Sequence, residues 1–194
     1  MKILILIISM FFLVHNNSFA MKHHNLNNHH NDHKHSNQMN GHVHDQKNMP
    51  GLKGIDTTLK EENDLKTIFK THKEINRSVV KLKNGIKTIT ESNNIKLRKA
   101  IVDHVSMMVT RLEEGKNPKV FIQTPILDKL FDYYDQIETE LEMTDKGIIV
   151  IQTSTNKKVV QLLQKHADEV SDMSKRGMVA VHERMMKNYK NNYQ

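Results

Sequence analysis

Sliding the chain against itself by 62 positions aligns Leu65 with Leu127, Phe69 with Phe131, Ile75 with Ile137 and Gly85-Ile86 with Gly147-Ile148. Ile89 then meets Ile151, Ser92 meets Ser154, Asn94 meets Asn156, His104 meets His166 and Gly115 meets Gly177, without a gap. The matches fall on apolar, glycine and helix-cap positions, which are the positions that decide a fold. A unit used twice is one supersecondary piece, and each copy has to bury its apolar face against the other.

The periodicity says what the piece is. Leu65, Ile68, Phe69 and His72 recur at helical spacing, then Ile75, Arg77 and Val79 alternate as in a strand. Asn84-Gly85 is a two-residue hairpin signal, since both residue types tolerate positive φ. Ile86 to Glu91 is the return strand, Ser92 is the expected cap, and a helix follows from about Asn93 to Glu114 with Gly115 as its stop. In the second unit Thr124-Pro125 starts a helix. Ile137, Thr139, Leu141 and Met143 alternate with Glu138, Glu140 and Glu142, and Asp145-Lys146-Gly147 turns the chain. Ser154 or Thr155 is the expected cap of a last helix, which kinks near Gly177 and runs to about Asn188. The expected fold is α+β: two αββα repeats, about 57–115 and 119–177, around a pseudo-two-fold axis. They form a four-stranded antiparallel sheet with helices on one face.

The N-terminal part reads differently. Lys2, the apolar run Ile3 to Val14 and the small residues at Ser18-Phe19-Ala20 have the layout of a signal peptide with cleavage after Ala20. A run of twelve residues is too short to span a bilayer, which takes about 20. The expected location is periplasmic or secreted, and the cleaved chain is not membrane-spanning. Residues 21–55 hold His23, His24, His29, His30, His33, His35, His42 and His44 among Asn, Asp and Lys, with Met39 and Met49. So few apolar residues cannot form a core, and a disordered His-rich tail is expected. Imidazole is a ligand for zinc, copper and nickel, and thioether sulfur favours Cu(I). The chain has no Cys, which removes disulfides, thiolate metal sites and haem attachment through cysteine. Its net charge of +7 is spread among acids, Trp is absent and aromatics are 5%, so stacking platforms for bases are scarce and no nucleic acid is expected as a partner.

Within the repeats the matched pair His104 and His166 is the main candidate site. Met107 and Met108 follow His104 on one helical face, and Glu169 and Met173 follow His166. Met178, His182 and Met185 or Met186 share a face in the last helix. The candidate metal ligands of the domain are therefore His104, Met108, His166, Met173, Met178, His182 and Met186, with copper first and zinc second. A haem held between two histidines is a weaker option for the same pair. Met at helical spacing is also ordinary core packing, and the last helix could instead meet a partner protein of the envelope. The chain lacks G-x-S-x-G, P-loop and H-E-x-x-H motifs, so no enzyme is expected.

Gly85-Ile86-Lys87-Thr88-Ile89-Thr90-Glu91-Ser92, Leu112-Glu113-Glu114-Gly115, Gln152-Thr153-Ser154, His166-Ala167-Asp168-Glu169-Val170 and Arg176-Gly177-Met178 carry a resemblance. On these motifs the stretch from about Leu65 to Met186 resembles a family of small exported bacterial proteins, most of them uncharacterised, that often carry a His- and Met-rich stretch after the signal peptide. The relatives commonly show Asp-Asp-Pro after the cap serine, where this chain has Asn93-Asn94-Ile95 and Thr155-Asn156-Lys157. The resemblance implies export and association with a metal. Taken together, the sequence predicts a periplasmic protein that binds or buffers copper or zinc, with an envelope interaction module or a haem-binding redox module as alternatives.

Overall fold

The computed structural model describes residues 49–192. The expected signal peptide and the histidines His23, His24, His29, His30, His33, His35, His42 and His44 lie outside the described residues. Among the described residues the chain runs α1 (Leu59–Lys70), β1 (Asn76–Leu82), β2 (Gly85–Glu91), α2 (Ile95–Glu113), α3 (Pro125–Asp132), β3 (Glu138–Thr144), β4 (Gly147–Thr153), α4 (Lys157–Arg176) and α5 (Met178–Asn192). The domain is α+β, with one open four-stranded antiparallel sheet in the order β1-β2-β4-β3.

Local chemistry fixes the helix starts. Thr58 and Glu61 form a reciprocal capping box on α1. Thr124 caps α3 and Pro125 occupies its first turn, as the sequence predicts. The caps of α2 and α4 differ from the expected serines. Asn94 accepts from the Lys96 and Leu97 N–H groups, and Asn156 accepts from the Lys158 N–H. Ser92 and Ser154 sit two residues earlier and accept from the Asn94 and Asn156 N–H groups instead. Each serine N–H also donates to the opposite hairpin, Ser92 to the Lys146 carbonyl and Ser154 to the Asn84 carbonyl. The serines thus tie the strand ends together, and the asparagines one step later start the helices.

The hairpin glycines also have a different role from the expected one. Lys83-Asn84 form the first turn, and Gly85 is already paired with Leu82 in the ladder. Neither Asn84 nor Gly85 has a positive φ. Gly85 is required because β4 approaches it closely: a Cβ there would lie 1.9 Å from the Gln152 carbonyl oxygen. Gly147 meets the Thr90 carbonyl oxygen in the same way, at 2.0 Å. Side-chain-free positions at both ends of the β2–β4 seam let the two central strands meet.

The sheet face carrying Ile86, Ile148 and Val150 is covered by helices. Val159 and Leu163 of α4 pack with Ile86, and Leu97 and Ile101 of α2 pack with Ile148 and Val150. The opposite rows, Lys87, Ile89, Ile149 and Ile151, are half-buried, and Glu138, Glu140 and Glu142 are exposed. A third cluster joins Phe69 to Val181 of α5 and to Leu52, which is 2% exposed. Packing thus reaches back into the segment assigned to the tail. The Gly51 and Lys53 carbonyls accept from the Ile122 and Phe121 N–H groups there. The last helix breaks at Gly177, whose φ is +58, and α5 extends to Asn192. No helix among the described residues is long and apolar enough to cross a membrane.

Candidate functional site

The helices do not fill the space above the covered sheet face. A cavity of about 270 Å³ remains between the sheet, α1, α2, α3 and α4. Its walls are mainly apolar, including Ile68, Ile101, Leu112, Leu130, Ile148 and Val150. The inward rows of the central strands add Thr88 and Thr90, and β1 adds Arg77. At about 30 Å³ per molecule the space equals roughly nine waters, well beyond the voids of ordinary cores.

His104 of α2 and His166 of α4 both face this cavity. Both residues are half-buried. Burial pushes His104 down to about 4, against the smaller opposing pull of Asp64 and Glu61. Burial also pushes His166 down to about 4, and the charges of Arg77 and Arg184 and the proximity of His104 add to the effect. Both imidazoles are therefore neutral at pH 7. The Nδ1 atom of His166 is buried with no hydrogen-bond partner among the described residues. An orphaned buried nitrogen marks a place where something else can bond.

The charges around the cavity are unevenly compensated. Glu61 lies against Arg111, with Nε to Oε1 at 2.7 Å, and Arg111 also reaches Asp56 at 2.8 Å. Asp64 pairs with Lys60 at 2.7 Å. Arg77 is held by neutral groups only: its Nη1 donates to the Thr90 hydroxyl, and its Nε donates to the Ser171 hydroxyl at 3.4 Å. No carboxylate lies within ion-pair distance of it among the described residues, and burial pushes its guanidinium down to about 10. Glu169 accepts from the Thr124 hydroxyl at 2.7 Å, and burial raises its pKa.

Of the residues singled out in the sequence, His104, His166, Met107, Met108 and Met173 line this one cavity. Met178 and Met185 pack in the cluster around Leu52 and Phe69, while His182 and Met186 are exposed. The last-helix stripe is thus split between core and surface. Among the described residues no three His, Cys, Asp or Glu side chains converge on a point that could hold a metal. Arg77 was not singled out as a site residue, although a signal was present. It occupies the inward row of a strand between Ile75 and Val79, where a charge is out of place unless it has a task. Comparison with protein-family models, with curated proteins and with solved structures found no match.

Proposed function

We propose that the folded domain is a binding protein that carries a small organic ligand in the cavity between the sheet and its helices. The observation that supports this reading is the lining itself: a largely apolar space of about 270 Å³ on which a few polar groups converge, namely His104, His166, Arg77, Thr88 and Thr90. That combination is the usual make-up of a small-molecule site. Three of the lining hydroxyls are engaged elsewhere than at an imidazole. Thr90 is engaged by Arg77, Thr124 by Glu169, and Ser174 by the Ser171 carbonyl, so none of these three is held by an imidazole base. The test is methyl NMR of the full domain titrated with indole, a neutral probe of suitable size. Saturable shifts confined to methyls such as those of Ile86, Ile101, Leu130 and Ile148 are expected. Unchanged methyls at millimolar probe would remove the reading.

Copper capture, with zinc second, is the alternative, and one observation favours it: His104, His166, Met108 and Met173 line the same space. Two neutral imidazoles with thioethers are a soft donor set. The unpaired charge of Arg77 in the same lining weighs against adding a cation. Stoichiometric Cu(I) should move the His104 and His166 ring resonances if this alternative holds. Movement of tail histidines alone would confine metal binding to the tail. The N-terminal apolar run, the His-rich segment and the family resemblance favour export to the periplasm.

We also read the domain as a duplicated αββα unit about a pseudo-two-fold axis. Support comes from β3 starting 62 positions after β1, from the matching caps Asn94 and Asn156, and from the matching glycines Gly85 and Gly147. On this reading each half lends one histidine to the cavity.

A further inference from the structure

We infer that the ligand is a monoanion, a carboxylate with a compact apolar body, and that Arg77 is its counter-ion. The inference rests on the carrier reading and gives its ligand a chemical class. Arg111, Arg176 and Arg184 each pair with at least one carboxylate in the fold. Arg77 and Arg98 have no such pair among the described residues; Arg98 donates to the Asp145 backbone carbonyl away from the cavity, whereas Arg77 lines it. Holding a guanidinium against apolar walls without an anion is costly, and a bound anion would offset that cost. A guanidinium also has five N–H donors, and Thr90 and Ser171 engage only two of its nitrogens. The planar fork of guanidinium matches a carboxylate in two parallel hydrogen bonds.

Two further observations fix the sign and the number of charges. Glu61, the only acid in the cavity lining among the described residues, is already paired with Arg111, so the lining offers little to a cationic ligand. His166, whose Nδ1 is unpartnered and buried, feels the charge of Arg77 and lines the same space. One cation balances one negative charge. A phosphate monoester dianion would leave a second charge among apolar side chains with no partner, so a carboxylate fits better. The size of the body follows from the volume. An apolar cavity of about 150 Å³ takes benzene, and drug-sized ligands need about 300 Å³ or more. A space of about 270 Å³ suits one substituted ring or a short branched chain.

The experiment uses matched probes with one skeleton: 3-phenylpropionate, 3-phenylpropionamide and 3-phenylpropylamine. Affinities are read from the cavity methyl resonances of the full domain at pH 7. The carboxylate should bind about tenfold to a hundredfold more tightly than the amide, in the range of one charge-assisted bidentate contact, and the amine should bind most weakly. Arg77→Met should erase the preference for carboxylate over amide, and an unchanged circular dichroism spectrum with a cooperative melt shows that the variant is folded. If Arg77→Met does not fold, Arg77→Lys should keep the preference in reduced form. Equal binding of carboxylate and amide by the wild-type protein overturns the anion inference and leaves the carrier reading standing. A preference that survives in Arg77→Met overturns the role of Arg77. Failure of all three probes and of indole to move any cavity methyl overturns the carrier reading together with the inference.

Discussion

Glu61→Gln should destabilise the domain by about 2–3 kcal/mol at pH 7, and the loss should fade in acid. Burial alone would raise the Glu61 carboxyl, but the hydrogen bonds from Arg111 and from the Thr58 backbone and hydroxyl outweigh it and hold the pKa at about 2, against 4.5 for a free side chain. At about 1.4 kcal/mol per unit this difference is roughly 3.5 kcal/mol, less a discount for screening where the pair meets solvent. Breaking a buried pair outright costs about 3–5 kcal/mol, and Arg111 keeps Asp56, so the lower end applies. Gln at the third helical position can still close the capping box with Thr58, so the substitution isolates the ion pair. The folded-state pKa lies below the unfolded one. The contribution is therefore full above about pH 5 and falls as pH drops toward 2. Urea unfolding followed by circular dichroism at pH 7 and pH 3 measures it. The gap between wild type and variant should shrink to less than half at pH 3. An equal gap at both pH values would refute the electrostatic argument.

His104 and His166 should stay neutral far into the acid range. Their folded pKa values near 4 lie below the ordinary 6.5, so the stability they protect is complete above pH 6.5 and is lost as pH falls toward 4. Their ring proton shifts should not titrate between pH 8 and pH 5.5, and a midpoint near 6.5 for either ring would contradict its burial. Gly85→Ala and Gly147→Ala should each cost roughly 2–4 kcal/mol in chemical denaturation, because the clash is with β-sheet backbone that cannot give way; a change under about 0.5 kcal/mol would mean that the seam can open freely. Asn94→Ala and Asn156→Ala should each cost about 1 kcal/mol in the same assay, as expected for lost helix caps. Unchanged stability in both would return the capping role to the serines.

The α+β class, the hairpins and the order of elements follow from alternation and turn residues, which act over a few positions. The misassigned details sit where two local rules compete. Ser92 and Asn94 are both cap-competent, and only the path of the strand end decides that the serine bonds the asparagine and the asparagine bonds the helix. Asn84-Gly85 has the local form of a hairpin turn, but the demand on Gly85 comes from β4, distant in sequence. The cavity is the least legible feature. Ile68, Leu112, Leu130 and Ile148 look like core residues in the sequence and do line a core, yet their volumes fall short of the space between the layers. Alternation marks which residues point inward but not how far apart the layers stand. Arg77 shows what a stricter reading of the same pattern can extract: a charge in an inward row points to the partner it lacks.

The cavity also bears on folding. Side-chain volume missing from a core costs about 24 cal/mol for each Å³ left unfilled. The space of about 270 Å³ is partly open to solvent, so water relieves part of that cost and a ligand that fills the space recovers the rest. A ligand that fills the space is thus a detachable part of the core, and its binding energy adds to the free energy of unfolding. If the domain is a carrier as proposed, its melting temperature becomes a gauge of ligand concentration, and the amount of protein that survives proteolysis follows the ligand supply.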